Sequence, residues 1–409
     1  MDAPALFAAA VPGKAKAATS ARQISGGALV FGRPISREKP MATLSICIPV
    51  EGEAPDLGHL VAKLLKDPAA DVEVIALFSS AAAAPSEDLA ALAADDKRLV
   101  LETLDTAPAA RALWRQTASR ATGRWVTLVR PSDTLDPELA IMVHYLERRS
   151  PEIDALGWNS FQIDPLAVPG VSGPVAVPAH YHINMFDKTA MLKAFFYWSG
   201  SLNAPRMPFG LYHGALRRSL LDTLLSLPVN DGWSSPVPQY EWSGRVLLFS
   251  DAMAFCDRPM SAINMPAYKA PASHKPTHNF PFHAGLGLTG AVAEAQFHVL
   301  GELGNEWTAN EDFLRACMID CMMETDRRAF VAKGNGYFAA FQGFDPRLAS
   351  GFRPEFNENP TSDRRRGLQG DVLMVDRFLG GAQTAQEFYD AAKALLVPVA
   401  LLCDEAQLH

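Results

Sequence analysis

Cysteine is scarce in this chain. Five residues in 409, an odd number, exclude a disulfide framework as the basis of the fold. Basic residues are outnumbered as well: 37 Lys and Arg face 45 Asp and Glu, which disfavours general nucleic-acid binding. No apolar run approaches the roughly 20 residues that cross a bilayer, and the first residues lack the basic start of a secretory signal. We therefore expect a cytoplasmic protein, and peripheral membrane contact and homo-oligomerisation stay open.

What is present points to a globular protein. Hydrophobic residues make up 48% and charged residues 20% of the chain, whose length allows two or three domains. Cys317 and Cys321 lie four positions apart and share one face if their segment is helical. A metal pair is one interpretation of this spacing; burial as small apolar side chains is the one we favour.

The most informative stretch is 121–138, ATGRWVTLVRPSDTLDPE. Gly123 gives a turn before an apolar, strand-like run, which ends at Pro131 because proline cannot donate to a ladder. A helix is predicted from Pro137, with Asp136 as its N-cap. Asp133 is thus expected at the carboxyl end of a buried strand, and open α/β sheets bind their ligands at that edge.

This stretch resembles the centre of family 2 glycosyltransferases of the GT-A fold. Their pattern is a glycine, an aromatic residue, an apolar strand, an Asp-rich tetrapeptide and a Pro-Glu helix start. The tetrapeptide usually contains Asp-Asp or Asp-x-Asp, which holds a divalent cation against the sugar diphosphate. Here Arg130, Pro131 and Ser132 precede a single Asp133. The resemblance implies Mn or Mg as cofactor and Asp133 as its ligand, and the incomplete motif leaves open whether a metal is required.

The resemblance also marks a donor half. The strand at 44–50 resembles the opening strand of these enzymes, and "ALWRQTASRATG" resembles a segment with a matching Trp114. At the end of the second strand, Phe78 either stacks on a base or belongs to the core, and we favour the core. The nucleotide-sugar-binding residues implied in this half are Pro49, Val50, Glu51, Phe78, Ser79, Trp114, Arg130, Ser132 and Asp133.

The acceptor half is marked by a second match, Asp-Arg-Pro-Met-Ser at 257–261. The catalytic Asp expected upstream of it is replaced by Gln239. Glu241 is the nearest carboxylate and our first candidate for the general base, with Asp231 second. Arg217 and Arg218 either bind phosphate through their guanidinium groups or begin a solvated helix, and both interpretations stay open.

Strands and helices alternate as far as Asp133, which predicts an α/β fold with a mostly parallel sheet and right-handed crossovers. We expect a GT-A type of sheet flanked by helices, followed by a mainly helical C-terminal region. Residues 334–354 are expected to be irregular. The predicted divisions are an N-terminal extension at 1–40, a GT-A-like domain at 41–268 with donor half 41–160 and acceptor half 161–268, and the C-terminal region at 269–409.

The resemblance implies an inverting glycosyltransferase of polysaccharide biosynthesis. It would move a sugar from a nucleotide-diphosphate sugar to a glycan, a lipid-linked acceptor or a protein. Arg130, Arg217 and Arg218 would balance the charge on the leaving diphosphate. The alternative is a GT-A-like protein that has lost catalysis and binds a glycan or a protein partner.

Overall fold

A computed structural model describes most of the chain. The described residues are 42–66, 71–80, 84–106, 112–170, 173–227, 235–265, 268–271, 274–358 and 365–403. The expected N-terminal extension at 1–40 and the candidate base Asp231 lie outside these ranges. Residues 40–409 form one compact unit.

The main sheet has the order β3-β2-β1-β4-β9-β6-β10-β5 within the described residues, and β8 pairs with β10. Six of its strands run in one direction: β1 (Leu44–Val50), β2 (Val72–Phe78), β3 (Leu99–Thr103), β4 (Trp125–Leu128), β6 (Ala155–Ile163) and β10 (Met253–Asn264). Three run against them: β5 (Thr134–Leu135), β8 (Ile183–Met185) and β9 (Gly214–Arg217). The predicted α/β class with a mostly parallel sheet is confirmed.

Helices cover both faces of this sheet, which is why β1 is buried along its whole length. Alternate side chains of β1 point to opposite faces: Ile46 and Ile48 join one core cluster, and Cys47 joins the other. The first cluster includes residues of α1 (Leu57–Leu65), α2 (Glu87–Asp95) and α4 (Leu139–Arg149). The second includes residues of α3 (Leu113–Arg120), α5 (Lys188–Phe196), α6 (Arg218–Ser226) and α7 (Pro238–Phe249).

The C-terminal region is mainly helical, as predicted. Its helices α8 (Leu288–Glu302), α9 (Glu311–Met322), α10 (Arg327–Phe344) and α11 (Pro346–Ala349) extend the second cluster. The prediction of irregular structure at 334–354 was wrong, because α10 and α11 occupy most of it. Gly336 in α10 serves packing, because a Cβ there would lie 2.6 Å from Leu286 Cδ2.

The end of the chain returns to the main sheet. A small antiparallel sheet joins β7 (Val175–Pro178), β12 (Val372–Val375) and β11 (Gly367–Gln369). Helix α12 (Ala385–Lys393) then packs against β10, and α13 (Val399–Leu402) packs against α4. None of the helices in the described ranges combines the length and apolarity needed to cross a membrane.

Candidate functional site

The sheet has a topological switch point between β1 and β4. The chain adds β2 and β3 on one side of β1 and then returns to place β4 on the other. Cys47 is level with Leu128, so the residues that follow Val50 and Val129 emerge side by side at the carboxyl edge. Open α/β sheets bind ligands in the crevice at such a point. Glu51, Arg130 and Asp133 follow these two strands directly.

Asp133 is fixed at this edge by an ion pair. Arg130 Nε donates to Asp133 Oδ2 at 2.7 Å, and Arg130 Nη2 donates to Oδ1 at 3.1 Å. The backbone N–H of Asn264, at the end of β10, donates to the same Oδ1 at 2.9 Å. The Asp133 side chain is fully buried, whereas that of Arg130 is 33% exposed. Burial raises the pKa of Asp133, although Arg130 and the Asn264 N–H act in the opposite direction.

Asn264 also fixes the turn that carries these residues. Its Nδ2 donates to Ser132 O at 2.7 Å, and its carbonyl accepts from Arg130 Nη2 at 2.7 Å. Gln386 of α12 donates to Pro131 O and Asp133 O at 3.2 and 3.1 Å. The exposed Ser132 is thus displayed on a turn held from two sides. Neither Asn264 nor Gln386 was found from the sequence, since both are distant in the chain.

Tyr212 and His213, which precede the antiparallel β9, complete the edge. The Arg130 guanidinium lies 5.4 Å from the centre of the Tyr212 ring. Burial raises the pKa of Tyr212 to about 12, the Arg130 guanidinium opposes this rise, and the Glu51 and Asp133 carboxylates add to it. Sequence reasoning assigned no functional role to the segment before β9. The sequence signal that could have indicated these two residues is an aromatic residue and a histidine directly before a glycine.

His213 is held neutral. Burial lowers its pKa to about 4, a hydrogen bond to Met207 O opposes this change, and Arg130 lowers the pKa further. Its ring lies over Gly210, where a Cβ would come within 1.9 Å of His213 Cε1. Glycine at 210 is therefore required for this arrangement.

The free energy of unfolding should depend on pH because burial lowers the pKa of His213. An unfolded histidine binds its proton at pH 6.5, whereas His213 binds it near pH 4 in the folded chain. The unfolded state therefore holds more protons between these values, and the free energy of unfolding should fall by up to about 3 kcal/mol as pH drops from 6.5 to 4. Urea unfolding of His213→Gln should lose this part of the slope. The same change at the exposed His278 is the control, and an equal slope in wild type and His213→Gln would contradict the assignment.

A second buried ion pair supports the segment behind Asp133. Arg258 Nη1 lies 3.0 Å from Asp136 Oδ2, and both side chains are fully buried. Tyr389 and Lys393 of α12 donate to the same carboxylate at 2.8 and 2.9 Å. Burial alone would raise the pKa of Asp136, but Arg258 and Lys393 lower it overall. Asp136 thus joins three elements, and α4 begins at Leu139 instead of at the predicted Pro137.

The other donor-half candidates lie at the edge or beneath it. Pro49 and Val50 are buried at the end of β1, and Glu51 after them is exposed, with partial burial of its carboxyl raising its pKa. Ser79 donates its N–H to Val50 O at 3.0 Å and is partly exposed. Phe78 and Trp114 are buried, 2% and 5% exposed, in opposite core clusters.

Arg217 and Arg218 lie at the other edge of the sheet. Arg217 stands opposite Trp125, the first residue of β4, because β9 runs antiparallel to β4. Its Nε donates to Ile153 O at 2.5 Å, and Arg218 donates to Ala121 O. The structure therefore does not bring these two guanidinium groups to the Asp133 edge, and the strand direction is the reason.

Glu241 lies in the first turn of α7. This helix leads into the amino end of β10. Glu241 is 4% exposed, and its Oε1 lies 2.8 Å from Nη2 of Arg245, itself 2% exposed. The same nitrogen lies 2.7 Å from Glu302 Oε2.

The cysteine pair and a cavity beside α12 are separate from this edge. Cys317 and Cys321 are free and buried in the core, which confirms the favoured interpretation. Within the described ranges, no group of three or more His, Cys, Asp or Glu side chains could hold a metal ion.

A cavity of about 700 Å³ opens between α1, α4 and α12. Its Lys63 pairs with Asp390 and its Lys393 with Asp136, so both ammonium groups already have carboxylate partners.

No family model and no curated protein sequence matches this chain. Solved structures similar to it include residues 1–349 of S. aureus TarS, at 12% identity and a TM-score of 0.44 over 75% of this chain and 82% of that one. The same fragment in complex with UDP-GlcNAc matches at 13% identity and a TM-score of 0.43, over the same shares of the two chains. The mannosyltransferase PcManGT from Pyrobaculum calidifontis, in complex with GDP-Man and Mn²⁺, matches at 13% identity and a TM-score of 0.35 over 76% of this chain and 73% of that one. These likenesses assign no role to a residue; the described sheet itself is mostly parallel and flanked by helices, as predicted from the sequence.

Proposed function

We propose that this chain is an inverting glycosyltransferase that uses a nucleotide-diphosphate sugar as donor. The observation that carries the proposal is the switch point between β1 and β4, where a buried carboxylate, a partly exposed guanidinium and a tyrosine meet at the carboxyl edge. The acceptor is a glycan, a lipid-linked sugar or a protein side chain, in each case a hydroxyl-bearing group.

The donor would lie across the ends of β2, β1 and β4. Glu51 and Ser79 follow neighbouring strands and offer a carboxylate and a hydroxyl for the ribose and base. Arg130 follows β4 and carries the positive charge that a diphosphate needs. In this proposal the nucleoside would lie over β1 and β2 and the diphosphate over β4.

Inversion needs a proton acceptor on the acceptor side of the sugar. In that step the acceptor oxygen bonds to the anomeric carbon while the bond from this carbon to the diphosphate oxygen breaks, and a carboxylate takes the hydroxyl proton. We assign this carboxylate to Glu241, with Asp231 as the second candidate. Arg245 has Glu302 as another partner, so it keeps a counterion when Glu241 is protonated.

One observation favours a second function, binding without catalysis. Asp133, the predicted metal ligand, and Glu241, the first candidate for the base, are both buried in ion pairs with arginine. Such a protein would bind a glycan or a partner chain at the same edge and would not turn over a nucleotide sugar.

Thermal unfolding with UDP, GDP, CDP and ADP tests the donor site, and nucleotide release from the matching sugar nucleotides tests catalysis. We expect at least one nucleotide to raise the melting temperature, because a ligand that binds only the folded state stabilises it. Ser132→Trp should block this shift, since Ser132 is exposed on the turn of the site. Ser119→Trp is the matched control, an exposed serine at the end of α3 near the opposite edge.

Stabilisation by none of the four nucleotides would contradict the proposal. Stabilisation without nucleotide release from any sugar nucleotide, with glycan and protein acceptors supplied, would support binding without catalysis. A shift that persists in Ser132→Trp would place the nucleotide elsewhere on the chain.

A further inference from the structure

The donor set at the Asp133 edge does not fit a divalent cation. We infer that, if the proposed function holds, the Arg130 guanidinium binds the donor diphosphate directly and the chain does so without a metal ion. This inference rests on the proposed glycosyltransferase function. It departs from the cation that the sequence resemblance implies.

The first reason is that the Asp133 carboxylate is already used. An ionised carboxylate has about four acceptor positions, and three of them accept from Arg130 Nε, Arg130 Nη2 and Asn264 N. The side chain has no exposed surface. A cation bound to either oxygen would have to displace Arg130 and would then lie beside its guanidinium charge.

The second reason is that the turn supplies no further hard ligand. Mg²⁺ and Mn²⁺ prefer carboxylate oxygens, but Pro131 and Ser132 stand where an aspartate pair would provide them. Glu51 is the other carboxylate whose charge reaches Tyr212. No cluster of metal-binding side chains exists in the part of the chain that the structure describes.

The third reason is that Arg130 has donors to spare on its exposed side. Asp133 and Asn264 O take Nε and Nη2, and among the described residues no acceptor takes the N–H groups of Nη1. The side chain is 33% exposed, and the Tyr212 ring lies against it. Asp133 therefore positions the guanidinium, and Nη1 is left for an oxyanion.

This arrangement supplies what the transfer needs at the leaving group. As the bond between the anomeric carbon and the diphosphate oxygen breaks, its electron pair and a growing negative charge pass to the diphosphate. A fixed guanidinium stabilises that charge without any reorganisation at the moment of reaction.

Titration calorimetry of the full chain with UDP, GDP, CDP and ADP, in EDTA and in excess MnCl₂, tests the inference. We expect the same dissociation constant in both media for whichever nucleotide binds. Arg130→Met should weaken that binding about tenfold or more. Arg124→Met is the matched control, because Arg124 makes a similar two-bond pair with Glu147 beside the start of β4.

Two further variants keep the test decisive. Arg130→Met leaves a buried carboxylate without its partner and risks unfolding, so the double variant Arg130→Met, Asp133→Asn repeats the measurement without that charge. Asp133→Asn alone should tighten nucleotide binding, because it removes a negative charge near the diphosphate and keeps Arg130. Loss of binding in Asp133→Asn that occurs in MnCl₂ and not in EDTA would instead identify Asp133 as a metal ligand.

The outcomes separate the two proposals. Binding that requires MnCl₂ overturns the inference and leaves the glycosyltransferase proposal standing. Metal-independent binding that survives both Arg130 variants overturns the role of Arg130. Binding of no nucleotide in either medium overturns the proposed function, and the inference falls with it.

Discussion

Replacing Asp133 with alanine is expected to lower the proposed turnover of a sugar nucleotide by about 10²–10³-fold. Asp133 holds the Arg130 guanidinium by two hydrogen bonds at 2.7 and 3.1 Å. Alanine releases that group, which is already partly exposed and can turn into solvent. The charge that should face the leaving diphosphate is then no longer fixed in place. The measurement is the rate of nucleotide release from the sugar nucleotide that the wild type accepts.

The matched control for this prediction is Glu147→Ala. It removes the carboxylate partner of Arg124 from a similar pair, near the opposite edge of the sheet, where we place no substrate. Thermal unfolding of both variants checks that the fold persists. Turnover of Asp133→Ala within about threefold of Glu147→Ala would remove Asp133 from the site.

The position of the site could be predicted from local sequence. A glycine turn, an apolar run and a proline fix where β4 begins and ends, and alternating strands and helices imply a parallel sheet whose carboxyl edge carries Asp133. These signals are local in the chain. They predicted the α/β class and the position of Asp133 at the carboxyl edge.

The details of the site depend on distant residues and could not be predicted in the same way. Asn264 is 131 positions from Asp133, and Gln386 is 253 positions away. The residues near Asp133 in the sequence therefore do not predict either contact. Without them, the turn could equally display Asp133 to solvent as a ligand. The burial of its carboxylate beneath Arg130 is a property of the folded sheet.

Strand direction explains where Arg217 and Arg218 lie. The sequence left open whether they bind phosphate or begin a solvated helix, and α6 does begin at Arg218. The residues at 214–216 before them are apolar. In the structure they form part of β9. This strand lies between β4 and β6 and runs antiparallel to both of them. One antiparallel insertion carries Arg217 and Arg218 to the amino edge and brings Tyr212 and His213 to the carboxyl edge instead.

Glu241→Gln is expected to lower turnover by about 10²–10⁴-fold, the usual contribution of a positioned proton acceptor. Glutamine keeps the shape of the side chain and an oxygen that can accept from Arg245, so the dissociation constant for the donor nucleotide should stay within about twofold of wild type. Calorimetry with the nucleotide and the rate of sugar transfer are measured on the same preparation.

The control is Glu302→Gln, which alters the second carboxylate that contacts Arg245 Nη2 and leaves Glu241 in place. If Glu241 acts only by pairing with Arg245, the two glutamine variants should affect stability and turnover to a similar extent. If Glu241 is the base, only its variant loses turnover, and the loss should not be recovered at any pH because glutamine cannot bind the proton. Turnover of Glu241→Gln within about tenfold of wild type would reject Glu241 as the base, and Asp231→Asn would then be the variant that decides the assignment.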